Sequence, residues 1–208
     1  LFAFAGIMAG ISTLCMNEQI LGSLASPSGM WYQIWNIINQ GAWTVFNNMP
    51  LVFVIGLPVG LAKKQNARAC LEALVIYLTF NYFVNTILTQ WGTVFGVDFT
   101  VDAGSGTGLA SVAGIKTLDM GMLGAIMIAA IVVWLHNRYF DTKLPEFLGI
   151  FKGSTFIYIL GFFVMIPVAF LAVLIWPQIQ HGIGALQTFL AGAGPAGVGI
   201  YAFLNRKI

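Results

Sequence analysis

The sequence predicts an all-α integral membrane protein: a polytopic bundle of about six transmembrane helices with two interfacial amphipathic helices. Its composition is the first observation, since 59% of the 208 residues are hydrophobic and 8% are charged, against about 25% charged in soluble domains. The second is a mean hydropathy of +0.88. A chain of this kind cannot cover itself with groups that water solvates. The lipid bilayer is therefore its expected solvent.

Long intervals without acidic or basic residues contain the predicted spans. A spanning helix needs about 20 apolar residues, and in lipid its backbone groups must be satisfied within the helix. Six stretches qualify, the first of them shortened: 1–15, 42–62, 73–92, 118–135, 154–176 and 183–204. Because the chain begins with Leu1 inside an apolar run and not with Met, we expect a fragment or a trimmed form.

The basic residues predict the orientation, because short loops rich in Lys and Arg stay in the cytoplasm. Eight of the nine fall on one side of the predicted bundle: Lys63, Lys64, Arg68, Arg138, Lys143, Lys152, Arg206 and Lys207. Lys116 falls on the other side, near Asp98, Asp102 and Asp119. We therefore expect loops 63–72 and 136–153 and the chain end in the cytoplasm. The net charge of +2 indicates no nucleic-acid partner.

Two connections have the spacing of amphipathic helices that lie in a membrane surface. Apolar residues recur at i, i+3, i+4 and i+7 in both stretches. They are Trp31, Ile34, Trp35 and Ile38 in the first, and Leu144, Phe147, Leu148 and Phe151 in the second. Packing of either stretch against protein is the equal alternative.

The motifs that usually carry catalysis or metal binding are absent from this sequence. Its cysteines and histidines form no ligand or redox pattern: Cys15, Cys70, His136 and His181. Residues 98–104 resemble a calcium loop, but position six is Ala103 and position twelve is Leu109, where such loops have Gly and Glu. Residues 104–108 lack the Lys of a phosphate loop and predict a flexible turn. We expect no catalytic residue, cofactor or metal here.

Polar side chains within the predicted spans are candidates for a binding site. They form two groups: Thr44, Asn47 and Asn48 before Pro50 in the second span, and Asn81 and Asn85 in the third. Either group can form hydrogen bonds between helices or contact a solute. Arg206, after the glycine-rich sixth span, is either an anchor at the membrane surface or a ligand for sugar hydroxyls or phosphate.

Several sequence blocks resemble one protein family. The blocks are Trp43-Thr44-Val45-Phe46-Asn47-Asn48-Met49-Pro50, Gly56-Leu57-Pro58-Val59-Gly60, His136-Asn137-Arg138 with Leu144-Pro145-Glu146-Phe147-Leu148-Gly149, and Tyr201-Ala202-Phe203-Leu204-Asn205-Arg206. Together they are similar to enzyme IIC, the membrane component of the bacterial sugar phosphotransferase system (PTS), in its glucose superfamily and nearest its alpha-glucoside and maltose branch. The resemblance covers essentially the whole chain.

The resemblance implies a permease component of the bacterial inner membrane. It would carry an alpha-glucoside or maltose-like sugar, which a fused or separate IIB domain phosphorylates from a cysteine; this chain carries no phosphorylated Cys or His of its own. The family has ten spans and two re-entrant hairpins, and its first five spans form most of a homodimer interface. The implied division is therefore 1–182, a five-span dimerisation part, and 183–208, a sixth span leading into the absent sugar-binding half.

Three residues are predicted to bind the substrate on the strength of this resemblance. Arg206 matches an arginine that contacts the sugar in related maltose transporters, and Thr44 matches a threonine of the second span that faces the same cleft. Asn48 lies beside them in sequence, whereas Asn47 stands where close relatives would have a basic residue. The family's sugar-binding histidine and later glutamate are missing from the chain.

Other readings of the sequence remain open at this point. The chain can be an inactive fragment that acts only as a dimerisation scaffold, or a permease for a different sugar of the glucose superfamily. An ion-coupled amino-acid permease is disfavoured, because no Asp or Glu lies inside a predicted span core, and Glu72 lies only at the edge of the third.

Overall fold

The fold is a helical bundle with one β-hairpin. A computed structural model describes residues 1–104, 106–142 and 145–192, apart from the side chains at 146–148, 186–187 and 190–192. In these ranges the elements are α1 (Phe2–Cys15), α2 (Glu18–Leu21), α3 (Met30–Asn47), α4 (Met49–Leu61), α5 (Asn66–Trp91), β1 (Leu109–Val112), β2 (Ile115–Leu118), α6 (Gly121–Tyr139) and α7 (Ser154–Gly192), with 3-10 helices at Gly22–Ala25 and Glu146–Phe151.

Among the described residues, three helices are long and apolar enough to cross a bilayer by themselves. These segments are Asn66–Trp91, Gly121–Tyr139 and Ser154–Ala185. The bent pair α3 and α4 together pass the same test, and α1 is a shorter apolar helix. The all-α membrane class predicted from the composition is thus confirmed, and the predicted spans 73–92 and 118–135 fall within or largely within α5 and α6.

The predicted second span is not one straight helix. The hydropathy pattern predicts a helix over 42–62, but the structure bends by 53° between α3 and α4, at Asn48. Pro50 lies in the first turn of α4, where its missing N–H removes no helical hydrogen bond. The stretch 31–38 is helical, as its periodicity predicts, but it continues without interruption into residues 42–47 of α3.

The predicted fifth span and the start of the sixth lie on one helix. α7 has 39 residues and contains Pro167 and Pro177, so it is about 58 Å long, well beyond the roughly 30 Å of a hydrocarbon core. The expected separation between 176 and 183 is therefore wrong. Each proline removes one helical hydrogen bond but does not end the helix here.

The second amphipathic stretch is only partly described. The structure has a 3-10 helix at Glu146–Phe151 in place of the expected α-helix, and the side chain of Ile150 there is exposed. Leu144, Phe147 and Leu148 lie outside the described residues or side chains, so their predicted apolar face stays a prediction.

The core is centred on α5. Its buried face includes Ile76, Phe80 and Val84, which pack in one cluster with Ile128 of α6 and Met165 of α7. Gly161 allows α7 to approach closely, because a Cβ there would overlap Ile76 Cδ1 and lie 2.9 Å from Ile76 Cγ1. The central helix therefore fixes the positions of both neighbouring helices.

The β-hairpin was not predicted from the sequence. β1 and β2 are antiparallel, with Leu109 opposite Leu118, and Ala113 and Gly114 join them with φ of 49° and 80°. Positive φ at both loop residues is characteristic of a two-residue type I′ turn. Asn85 Nδ2 donates to Lys116 O over 2.7 Å and attaches the hairpin to α5.

The two ends of the bundle differ in charge. We call the basic end the one where α4 and α6 finish and α5 begins, since Lys63, Lys64, Arg68 and Arg138 lie there. The opposite end, which carries β1, β2 and the loop 92–108, is called the hairpin end. Asp98, Asp102 and Asp119 lie at the hairpin end, together with Lys116.

The close approach at Gly161 leads to a stability prediction. We expect Gly161→Ala to lower the free energy of unfolding by about 1 kcal/mol or more, because the added methyl group overpacks the contact with Ile76. Gly182→Ala on the same helix is the matched control, since nothing lies within 4 Å of a Cβ there. The measurement is the thermal unfolding midpoint in detergent, and equal midpoints for the two variants would contradict the packing.

Candidate functional site

The bend between α3 and α4 holds two of the predicted substrate ligands. Thr44 Oγ1 donates to Gln40 O over 3.2 Å, and Asn48 Nδ2 donates to Thr44 O over 2.9 Å. Each side chain therefore donates a hydrogen bond to a nearby backbone carbonyl, and its oxygen keeps lone pairs that can accept hydrogen bonds. Neither side chain lines the cavities described below. Arg206, the third predicted ligand, lies outside the described residues.

A small cavity lies beside this bend. Its volume is about 160 Å³, and it is enclosed by the α3–α4 bend, α5, the hairpin and the start of α6. The lining residues are Asn47, Pro50, Tyr77, Phe80, Asn81, Ala110, Ser111, Val112, Leu118, Asp119, Met120, Gly121 and Gly124. The space equals about five water molecules at liquid density. It accommodates a few hydroxyl-bearing groups and is smaller than a typical pocket for a whole ligand.

The polar residues of this cavity differ from those the sequence favoured. Asn47 lines it, although its neighbours Thr44 and Asn48 were the predicted ligands. Asn81 lines it as well, with its Nδ2 donating to Tyr77 O over 2.8 Å. Asp119 is exposed and also lines the cavity, and an ionised carboxylate accepts hydrogen bonds from hydroxyl groups.

The predicted pair Asn81 and Asn85 divides between two roles. Both lie on α5, four residues apart, but Asn85 donates to the hairpin backbone, whereas Asn81 is buried against the cavity. Asn85 therefore forms a structural bond to another element, whereas for Asn81 solute contact stays a prediction. The periodicity alone could not separate them, because the hairpin that binds Asn85 was not predicted.

A buried ionisable pair at the basic end was missed by sequence analysis. His136 Nδ1 lies 2.7 Å from Glu72 Oε2, and the two side chains are only 1% and 3% exposed. His136 Nε2 lies 2.8 Å from Lys64 O. A carbonyl only accepts, so Nε2 must carry a proton, and the contact with Glu72 needs a second proton between its two atoms. The pair is therefore neutral overall, as imidazolium with carboxylate or as imidazole with carboxylic acid.

Asn137 extends this contact into a clamp on the α4–α5 loop. Its Oδ1 accepts from Lys63 N over 2.8 Å, and its Nδ2 donates to Leu61 O over 3.0 Å. His136 and Asn137 are thus bound to the backbone of Leu61, at the end of α4, and of Lys63 and Lys64 in the loop, and we call this arrangement the loop clamp. It explains what His136 and Asn137 do in the fold. The sequence held one signal for the contact with His136: Glu72 is an acid near the end of a predicted span, and it faces the next helix, which is antiparallel.

The remaining reactive side chains are separate from these sites. Cys15 and Cys70 are free and half-buried, and His181 is exposed. In the part of the chain that the structure describes, no three His, Cys, Asp or Glu side chains converge in a way that could hold a metal ion.

Comparison with known proteins gives consistent matches. The family model for the phosphotransferase system, EIIC, matches residues 1–208. The chain is 63% identical over 206 residues to the PTS system maltose-specific EIICB component of Bacillus subtilis (strain 168), covering 99% of this chain and 39% of that protein.

Two further relatives are similar over the same region. Identity is 54% over 207 residues to the phosphotransferase IIC component GlvC of Escherichia coli (strain K12), covering 99% of this chain and 56% of GlvC. It is 50% over 206 residues to the PTS system alpha-glucoside-specific EIICB component of Fusobacterium mortiferum, covering 99% and 39%. The chain thus spans about two fifths of the EIICB components and somewhat more than half of GlvC.

The loop clamp leads to a prediction about burial and charge. We expect His136→Ala to lower the free energy of unfolding by about 3 kcal/mol, because it leaves Glu72 buried without its partner. The control is Asp141→Asn, which removes a bond of similar length, Lys64 Nζ to Asp141 Oδ2 at 2.6 Å, between side chains that are 68% and 66% exposed. That loss should be about 0.5 kcal/mol. Equal losses in detergent unfolding measurements would contradict the role of burial.

Proposed function

The chain belongs to the phosphotransferase system EIIC family, and from this we propose that it forms part of a membrane permease for an alpha-glucoside or maltose-like sugar. Transport would be coupled to phosphorylation of the sugar by a IIB domain. The observation that carries the proposal is the match to the EIIC model over all 208 residues. The names of the relatives add the substrate class, since they are described as maltose-specific and alpha-glucoside-specific.

The chemistry of the cavity is compatible with a neutral sugar. Its polar lining residues are Asn47, Tyr77, Asn81, Ser111 and Asp119, and aromatic and apolar side chains form much of the remaining wall. Sugar hydroxyls both donate and accept hydrogen bonds, so such a mixed wall suits them. The cavity of about 160 Å³ would hold part of the sugar, and the rest of the site would come from other parts of a complete permease.

Thr44, Asn48 and Arg206 remain the proposed substrate ligands. The oxygens of Thr44 and Asn48 keep free lone pairs at the α3–α4 bend, close in sequence to the cavity residue Asn47. Arg206 would supply several donors in a planar arrangement, which suits adjacent sugar hydroxyls. Residues 183–208 would then lead from the dimerisation part, 1–182, into the remaining sugar-binding half.

The charges of the two ends are the basis for the proposed orientation and for the end that the partner would approach. The permease would lie in the bacterial inner membrane, with loops 63–72 and 136–153 and the chain end in the cytoplasm. Two relatives are described as EIICB components, a name that includes a IIB part. The IIB domain would approach the basic end. The loop clamp would keep the α4–α5 loop in a fixed position for that approach, and the lipid bilayer would cover the apolar sides.

The role of Arg206 is testable in a complete permease that contains this chain. We expect Arg206→Ala to raise the dissociation constant for maltose at least about tenfold, because hydrogen bonds to a charged donor are lost. Lys207→Ala, which removes the adjacent positive charge, is the matched control and should change it less than twofold. Equilibrium binding of radiolabelled maltose measures both. Equal, small effects would refute Arg206 as a ligand.

A homodimer is supported by one surface of the described chain. α1 and α3 pack on each other and enclose an apolar groove of about 270 Å³, and beside it Phe4 and Ile37 are 70% and 73% exposed. In a permease of this family, we infer that this face meets a second copy.

Cysteine crosslinking tests the inferred dimer face. Ile37→Cys in a chain lacking Cys15 and Cys70 should form a disulfide-linked dimer in membranes under mild oxidation. Leu171→Cys, at a side chain that is 55% exposed on α7, is the control and should remain monomeric. A monomeric Ile37→Cys variant, or equal dimer formation by both variants, would contradict the assignment.

A further inference from the structure

A second, larger cleft lies at the hairpin end. Its volume is about 560 Å³, which falls in the range of pockets that enclose whole small ligands. One wall is the segment 176–184 of α7, and the other is formed by the loops that flank the hairpin. The lining residues are Gly96, Val97, Asp98, Val101, Gly106, Thr107, Gly108, Asp119, Trp176, Pro177, Gln180, His181, Ile183 and Gly184.

Hydrogen bonds between the two walls hold the cleft in shape. Trp176 Nε1 donates to Asp119 O over 2.8 Å, and Gln180 Nε2 donates to Gly108 O and Asp119 O over 3.1 and 3.0 Å. Gly108 has a φ of +73°, and a Cβ there would lie 2.9 Å from Gln180 Oε1. The walls are thus already positioned before any ligand arrives, which lowers the entropic cost of binding.

The charge of the cleft selects against anions. Asp98 and Asp119 line it, and its described lining contains no Lys or Arg. Lys116 does not line the cleft: its Nζ donates to Phe99 O over 2.7 Å and lies 4.6 Å from the Phe99 ring centre, while its charge also acts on Asp98. Hydrogen bonds from the Thr100 hydroxyl and N–H hold the pKa of the Asp98 carboxyl below its ordinary value, so it stays ionised at neutral pH.

The same cleft suits a neutral polyol. Carboxylates accept hydrogen bonds strongly from hydroxyl donors, and the side-chain oxygen of Gln180 and the ring of His181 add groups that can take part in hydrogen bonds. Val97, Val101 and Ile183 provide apolar contact. A sugar phosphate would gain the same contacts but would bring its negative charge toward two carboxylates.

Asp119 connects this cleft with the smaller cavity, since it lines both. We propose that the hairpin-end cleft is a binding site for an unphosphorylated saccharide, from which the ligand reaches the cavity at Asn47 and Asn81 past Asp119. This inference rests on the proposed function for the choice of sugar, because the cleft by itself indicates only a neutral polyol. Its experiment uses the chain alone, so that it can fail independently of transport.

The test is binding of radiolabelled maltose to the chain in lipid nanodiscs by equilibrium dialysis. We expect saturable binding that Gly184→Leu weakens at least about tenfold, because the leucine side chain fills ligand volume. Gly184 lines the cleft, and a Cβ there meets nothing within 4 Å, so the fold should tolerate the change. Gly182→Leu is the matched control, since Gly182 is equally open but does not line the cleft.

A second pair of variants tests the charge. Asp119→Asn should weaken maltose binding about fivefold, because a neutral acceptor replaces a charged one, and its backbone bonds to α7 are unaffected. Asp102→Asn, at an exposed acid outside the lining, should leave binding unchanged. Glucose 6-phosphate should compete with labelled maltose at least about tenfold more weakly than glucose does, and less so in Asp119→Asn.

Each alternative outcome would overturn the cleft site. Absence of saturable maltose binding, equal binding by Gly184→Leu and Gly182→Leu, or equal competition by glucose and glucose 6-phosphate would do so. If a complete permease still transports maltose in those cases, the proposed function stands and only the cleft assignment fails. If maltose binds in the cleft but a complete permease does not transport it, the proposed function fails instead.

Discussion

The arrangement of this bundle depends on how polar side chains satisfy the backbone groups of its connecting loops. Helix ends and loops leave N–H and C=O groups unpaired, and near the hydrocarbon these groups cannot rely on water. At the basic end, His136 and Asn137 bind the α4–α5 loop. At the hairpin end, Asn85, Trp176 and Gln180 bind the hairpin and the residues beside it. In each case a helix supplies the side chain, so the loops are fixed to the helical framework.

Helix α5 joins these two sets of contacts into one structure. Glu72 lies near one end of the helix and Asn85 near the other, 13 residues or about 20 Å apart. Between them the buried face of α5 packs against α6 and α7, and Asn81 faces the smaller cavity on this rigid section. Packing therefore determines the position of a polar residue within the membrane.

Composition and charge were sufficient to predict the fold class and the helices α5 and α6, because hydropathy is a property of single segments. They were insufficient wherever the outcome depends on contacts between segments. Pro58, Pro167 and Pro177 lie inside helices, whereas the bend occurs at Asn48, beside Pro50. The local sequence offers a proline in every case, so it cannot by itself decide which one lies beside a break between two helices.

The same limit applies to the sites. His136 and Glu72 are 64 residues apart. In the sequence, one is an isolated histidine and the other is an acid at the edge of a predicted span. The family resemblance favours Thr44 and Asn48 as ligands over Asn47. Of these three residues, however, Asn47 is the one that lines the cavity. A helix places consecutive residues on different faces, and only the packing of the hairpin against α5 decides which face has room for a solute.

If the permease works as proposed, the unequal charges of its two ends would favour one direction of sugar transport. At the hairpin end, Asp98 and Asp119 line a cleft whose described lining has no Lys or Arg, so it would accept a neutral sugar and disfavour its phosphate. At the basic end, Lys63, Arg68 and Arg138 would attract the negative charge that phosphorylation adds. Phosphorylation would thus change which end of the protein the ligand prefers. The charge asymmetry from which the orientation is proposed would also oppose return of the product.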